Sequence, residues 1–169
     1  MAVVKTSYTK DKAKAKQTVR YIAHRPGKDG AKISRALFGN DGVMGRQLAY
    51  RLIDAAVAET FFYRIVINPD PSKEDTHKDI HLWELTDQTM LALAERVQAD
   101  ILYVAAEHTE HSDKRHTHAL ALVPRRLDKA DLAALRSAAT QAAGLQRTSR
   151  DLALEKQAHE QEEGEGWEY

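Results

Sequence analysis

Two apolar stretches joined by a short polar loop constrain this chain more than any other feature. Residues 101–107 read Ile-Leu-Tyr-Val-Ala-Ala-Glu and residues 115–123 read Arg-His-Thr-His-Ala-Leu-Ala-Leu-Val. Each has the length of a strand, and the loop between them suits an antiparallel hairpin. In the second strand His116, His118, Leu120 and Leu122 take one side, and Thr117, Ala119, Ala121 and Val123 the other. A strand apolar on both sides at one end belongs at the centre of a sheet, with its histidine end at the rim of the core. Residues 61–67 (FFYRIVI) read as another buried strand.

Around these, residues 3–8 and 32–38 read as strands, which makes five. Helices are predicted over 11–24, 45–58, 84–98 and 129–142, the first from the stripe Ala15, Val19, Ile22, Ala23. Asn40-Asp41-Gly42 is a turn signal, and the prolines and acids of 68–75 (NPDPSKED) require a loop. The last helix is expected to stop near Gly144. The expectation is one α+β domain: a five-stranded, mainly antiparallel sheet flanked by helices over 1–143, then a helical and acidic tail over 144–169.

Cysteine is absent, which excludes disulfides, thiolate metal sites and cysteine nucleophiles. No apolar run approaches the ~18 residues of a membrane span and no basic-then-apolar leader opens the chain, so a cytoplasmic protein without a membrane partner is expected. The net charge of zero hides an asymmetry. Residues 1–50 carry eleven Lys/Arg against three Asp, and residues 51–169 carry fourteen against twenty-two acids, so the two parts stand at +8 and −8. A basic part of this kind is compatible with a nucleic-acid partner.

Four of the eight histidines lie within residues 108–118. Residues two apart on a strand share a face at about 6.5–7 Å, so the imidazoles of His116 and His118 can converge on one ion. With residue 108 opposite 116, Ala106 falls opposite His118, and His108 supplies a third ligand on the same face. Three neutral imidazoles leave coordination positions open for a substrate oxygen. Glu110 reads as a fourth ligand, an acid that orients an imidazole, or a solvated loop acid, of which the second fits best. His111 reads as loop decoration.

Among the six tyrosines, Tyr21 lies about 200° round its helix from Val19, off the apolar stripe, on a face shared with Lys14, Thr18 and Arg25. That cationic face favours a phenolate and attracts a phosphodiester. Tyr8 is the alternative nucleophile; Tyr63 and Tyr103 lie in apolar strands and read as structural. His24 is either an acceptor for the phenolic proton or a surface residue beside a turn.

The run H-T-E-H-S-D-K-R-H-T-H-A-L-A-L-V over 108–123 resembles the signature of the HUH endonuclease superfamily, in particular the mobilisation-type relaxases of plasmids and integrative elements. V-R-Y-I-A-H-R-P-G-K over 19–28 resembles the context of their nucleophilic tyrosine on an early helix, and F-Y-R-I-V-I-N-P-D-P over 62–71 their middle motif. Glu110 stands where the family more often has Asp, and Val123-Pro124 stand where an Asn often follows the histidine pair. The resemblance implies a metal-dependent DNA relaxase. Tyr21 would attack single-stranded origin DNA, forming a 5′-phosphotyrosyl link, while His108, His116 and His118 hold a divalent ion. Magnesium or manganese is the family's expectation, and three imidazoles also suit zinc, nickel or cobalt. Lys10, Lys12, Lys14, Lys16, Arg20, Arg25, Lys28, Lys32 and Arg35 would contact phosphates, and other relaxosome proteins are possible partners. The alternatives are a rolling-circle replication initiator with the same chemistry, a non-cleaving origin-binding accessory protein, and a hydrolase that uses a metal-bound water.

Overall fold

The computed structural model describes residues 1–27, 29–110 and 114–165. Lys28, His111 and the last four residues, 166–169, lie outside the described residues. The elements follow in the order β1 (Val3–Thr9), α1 (Lys12–His24), β2 (Leu37–Gly39), β3 (Gly42–Met44), α2 (Arg46–Ala55), β4 (Phe61–Asn68), α3 (Leu82–Val97), β5 (Leu102–His108), β6 (His116–Val123) and α4 (Lys129–Glu165). The strands form a six-stranded sheet of order β1-β4-β6-β5-β2-β3, with every neighbouring pair antiparallel.

The sheet thus has six strands rather than five, because the expected strand over 32–38 resolves differently. Only Leu37–Gly39 pairs, and it turns back at Asn40-Asp41 into the short strand Gly42–Met44. Gly42 sits at φ +99°, a conformation that suits glycine. Gly39 is required for another reason: a Cβ there would stand 2.5 Å from the Tyr103 carbonyl oxygen across the pair with β5 and would also meet Met44. α3 begins at Leu82, earlier than expected, because the His81 ring nitrogen Nδ1 caps it by accepting from the Glu84 amide at 3.2 Å. α4 runs through Gly144 to Glu165. One interior glycine costs a helix only about 1 kcal/mol. Just beyond it Gln146 and Arg147 tie the helix down, to the backbone of His81 and the carboxylate of Asp79.

Helices cover both faces of the sheet. α1 and α2 pack on one through Ala15, Val19, Ile22, Ala49 and Ile53, which meet Phe62, Val104, Ala106 and Leu120. α3 and α4 pack on the other through Leu82, Leu85, Leu93, Leu135 and Ala139, which meet Ile65, Ile67, Ala105, Ala119 and Ala121. β6 lies between β4 and β5 and is buried at seven of its eight positions, which explains its lack of simple alternation. Among the described residues no helix is long and apolar enough to cross a membrane.

The start of β6 is fixed from outside the sheet. Arg115 donates from Nη1 to the Asp75 carboxylate at 3.1 Å and to the Ile80 carbonyl at 3.2 Å, while Asp75 accepts from the Ile80 amide at 3.0 Å. Asp75 is buried, so Asp75→Ala would leave a half-buried guanidinium and a buried amide without their acceptor. We expect a loss of about 2–3 kcal/mol in unfolding free energy by urea titration. A loss well below about 1 kcal/mol would show that Asp75 does not anchor this corner.

Candidate metal centre

β5 ends at His108 and β6 begins at His116, and the two residues face each other across the pair, with Ala106 opposite His118. The three imidazoles stand on the α1 face of the sheet with ring centroids 4.3 Å (His108–His118), 5.0 Å (His116–His118) and 5.4 Å (His108–His116) apart. One nitrogen from each lies within 4.8 Å of the others. Nitrogens sharing one ion at about 2.1 Å stand about 3–3.4 Å apart, so binding an ion would draw the three nitrogens together. The methyl group of Ala106 leaves that space open.

The hydrogen bonds of the rings suit a ligand set. His108 Nε2 lies 3.0 Å from the Ile22 carbonyl and His116 Nδ1 lies 2.9 Å from the Lys114 carbonyl. A carbonyl can only accept, so each bond puts the proton on that nitrogen and the lone pair on the other one. His108 Nδ1 and both nitrogens of His118 are buried with no hydrogen-bond partner. Each such group costs on the order of 1–3 kcal/mol unless something binds it. A divalent cation would engage His108 Nδ1 and one nitrogen of His118 together, so the residues present fit a metal ion.

The electrostatics point the same way. Burial, then the neighbouring His108 and His116 and the charges of Arg64 and Arg25, push the His118 imidazole down to about 2. Burial and Arg35 push His108 down to about 3. Both rings are therefore neutral at physiological pH, the form that ligates metals.

Tyr21 stands at the rim. Its ring meets that of His118 edge-on, with centroids 5.9 Å apart, and is about one-third exposed. Two guanidinium groups flank it, Arg64 at 4.5 Å and Arg25 at 5.5 Å from the ring centre. Arg64 escaped the sequence reading. It lies on β4 opposite Leu120, on the same side as His118, and is the single charge in the apolar run FFYRIVI. That lone charge was the available signal.

The remaining expected residues divide. Tyr8 belongs to the other side of the sheet, packed on Phe61 and Tyr63, the latter part of the core beneath α3 and α4. The Tyr63 hydroxyl accepts from the Leu127 amide at 2.8 Å, and the Tyr103 hydroxyl donates to Asp87 at 3.2 Å. His24 donates from Nδ1 to the Ile33 carbonyl and accepts on Nε2 from Arg46 at 3.0 Å, so its lone pair is already engaged. Lys14, Arg20 and Lys32 are exposed. Lys12 and Lys16 both turn to Asp54 at the end of α2.

Arg35, by contrast, is buried. It donates to the Arg25 carbonyl at 2.7 Å and pairs with Glu110 at 3.2 Å. Glu110 thus reaches Arg35 rather than an imidazole and stands outside the ligand-atom cluster. Burial pushes its carboxyl up, but backbone hydrogen bonds and Arg35 outweigh this and hold it below the usual range. The orienting role expected of Glu110 is filled by the carbonyls of Ile22 and Lys114.

Comparisons with protein families, with curated proteins and with solved structures return no match for this chain.

Metal-free protein should lose stability as pH falls. His108 and His118 have folded pKa values below the unfolded value of about 6.5, so below that pH the unfolded chain binds more protons. The stability present above about 6.5 is then lost progressively towards 2–3. In chelator at pH 5 we expect a loss on the order of 1–2 kcal/mol per imidazole relative to pH 7.5. Thermal melts of the chain and of His118→Asn test this, and a smaller loss in the variant is the expected result. Identical acid sensitivity of the two proteins would contradict the assignment.

Proposed function

We propose that this chain is a metal-dependent DNA-nicking transesterase of the HUH relaxase type, acting on single-stranded DNA with Tyr21 as nucleophile. The observation that carries the reading is the edge-on approach of Tyr21 to His118, beside three buried imidazoles of which His108 Nδ1 and both nitrogens of His118 have no hydrogen-bond partner. The packing of α1 on the hairpin through Val19 and Ile22 leaves Tyr21 at a half-open rim beside the histidines. A phosphodiester bound there would bridge them.

In this reading the Tyr21 oxygen attacks phosphorus, a Tyr21 O–P bond forms and the P–O3′ bond breaks. The phenolic proton passes to solvent, and the departing 3′ oxygen takes up a proton to leave a free 3′-OH. The 5′-phosphotyrosyl ester keeps the energy of the broken bond, so a 3′-OH can reverse the step without ATP. A divalent ion held by His108, His116 and His118 would offset charge growing on a non-bridging phosphate oxygen. Arg64 and Arg25 flank the phenol and supply fixed positive charge for the same phosphate. Arg20, Lys14 and Lys32, exposed on and near α1, offer further phosphate contacts that fix register rather than sequence. The biological setting in this reading is mobilisation from a transfer origin.

The test is incubation with manganese and a pool of randomised, end-labelled single-stranded oligonucleotides, followed by denaturing electrophoresis. A labelled band migrating with the protein is expected. Tyr21→Phe should abolish it, His118→Ala should reduce it at least about 100-fold, and Tyr8→Phe should leave it unchanged. Strand cleavage that survives in Tyr21→Phe without any adduct would replace this reading with a water-using hydrolase.

A further inference from the structure

The C-terminal end of α1 carries an unusual set of partners. Its last carbonyls need donors from outside the helix. The Tyr21 carbonyl accepts from the Arg25 amide at 2.8 Å, and the Ala23 carbonyl accepts from the Arg35 amide at 2.9 Å. The Ile22 carbonyl would ordinarily accept from residue 26, four positions on. Residue 26 is a proline and has no N–H to give. The carbonyl left over is the one that meets His108 Nε2 at 3.0 Å. The Arg35 side chain closes the next position, donating to the Arg25 carbonyl at 2.7 Å.

We infer that Pro26 and the Ile22 carbonyl form a latch that commits His108 to ligate through Nδ1 and couples the helix of Tyr21 to the metal centre. Pro26 has no amide to give and disfavours a helical Arg25, which stands at ψ 124°, so the helix ends before a residue-26 amide could cover the Ile22 carbonyl. The carbonyl then fixes the His108 proton on Nε2, which leaves the Nδ1 lone pair for an ion. Because Ile22 adjoins Tyr21, the bond that orients this ligand also sets where the phenol sits. A helix shift that moves Tyr21 would have to break or drag the His108 contact. Pro26 and Ile22 are positioning residues in this scheme, acting through His108. The inference rests on the metal-binding reading of the three histidines and is independent of the DNA chemistry.

The test is nitrogen-15 NMR of the imidazoles in the full chain, first metal-free and then with added zinc. In the metal-free protein His108 should give the pattern of a single tautomer protonated at Nε2. With zinc, the His108 shift change should fall on Nδ1. A His108 protonated at Nδ1, or a zinc shift at its Nε2, would overturn the latch while leaving three zinc-shifted histidines in support of the metal reading. No zinc shift at any of the three would overturn the metal reading, while the metal-free spectrum would still report on the hydrogen bond. In Pro26→Ala Arg25 is free to turn helical and bring the new amide onto the Ile22 carbonyl, so that both tautomers of His108 are populated and zinc affinity falls about tenfold. An unchanged tautomer and affinity in that variant would remove Pro26 from the account.

Discussion

The pairing of β5 with β6 in a single register is the constraint on which the site depends. His108 opposite His116 and Ala106 opposite His118 put three imidazoles on one face, around the space that a small side chain leaves. A slip of one residue would reverse which side of the sheet a strand's side chains face and send His116 and His118 towards α3 and α4. That register is enforced from several directions. The α1 side of the hairpin buries Val104, Ala106 and Leu120, the other side buries Ala105, Ala119 and Ala121, and Arg115 is held by Asp75 just before the first histidine of β6.

The site works against the stability of the fold that holds it. Buried nitrogens without partners on His108 and His118, two rings pushed far below their ordinary range, are a cost that a purely structural core would avoid by apolar substitution. Near the rim stand the guanidinium groups of Arg25 and Arg64. Positive charges around neutral nitrogen ligands disfavour protons on the rings, and they suit an anionic ligand placed over the site. The pair of Arg35 with Glu110 adds a brace between α1, the segment leading to β2 and the end of β5, so residues expected to touch DNA or a ring serve instead to hold the frame.

Much of this could be read from the chain. With residue 108 set opposite 116, the spacing of the two strand-length runs puts Ala106 opposite His118, and the structure has that register. The face of Tyr21 followed from helical angles, and the antiparallel pairing of β5 with β6 from the short polar loop between them. What could not be read depends on contacts between distant segments. Leu37–Gly39 and Gly42–Met44 are too short for a pattern to register, and Leu37–Gly39 joins β5 because Gly39 admits the Tyr103 carbonyl. Gly144 resembles a helix stop, but Gln146 and Arg147 find partners 65 and 68 residues away that carry the helix through it. Arg35 counted as one more cation in a basic stretch, and only its burial shows that it caps carbonyls. The orienting groups of the histidines are backbone carbonyls, which no side-chain motif can announce.

The central claim is that one divalent ion sits among His108, His116 and His118 within reach of Tyr21. Anomalous diffraction from crystals grown with manganese tests it most directly. The account predicts one strong peak about 2.2 Å from a nitrogen of each imidazole, on the side of the rings that faces Tyr21. An empty cage at saturating manganese, or a peak held by acidic side chains elsewhere with the three rings unchanged, would contradict it.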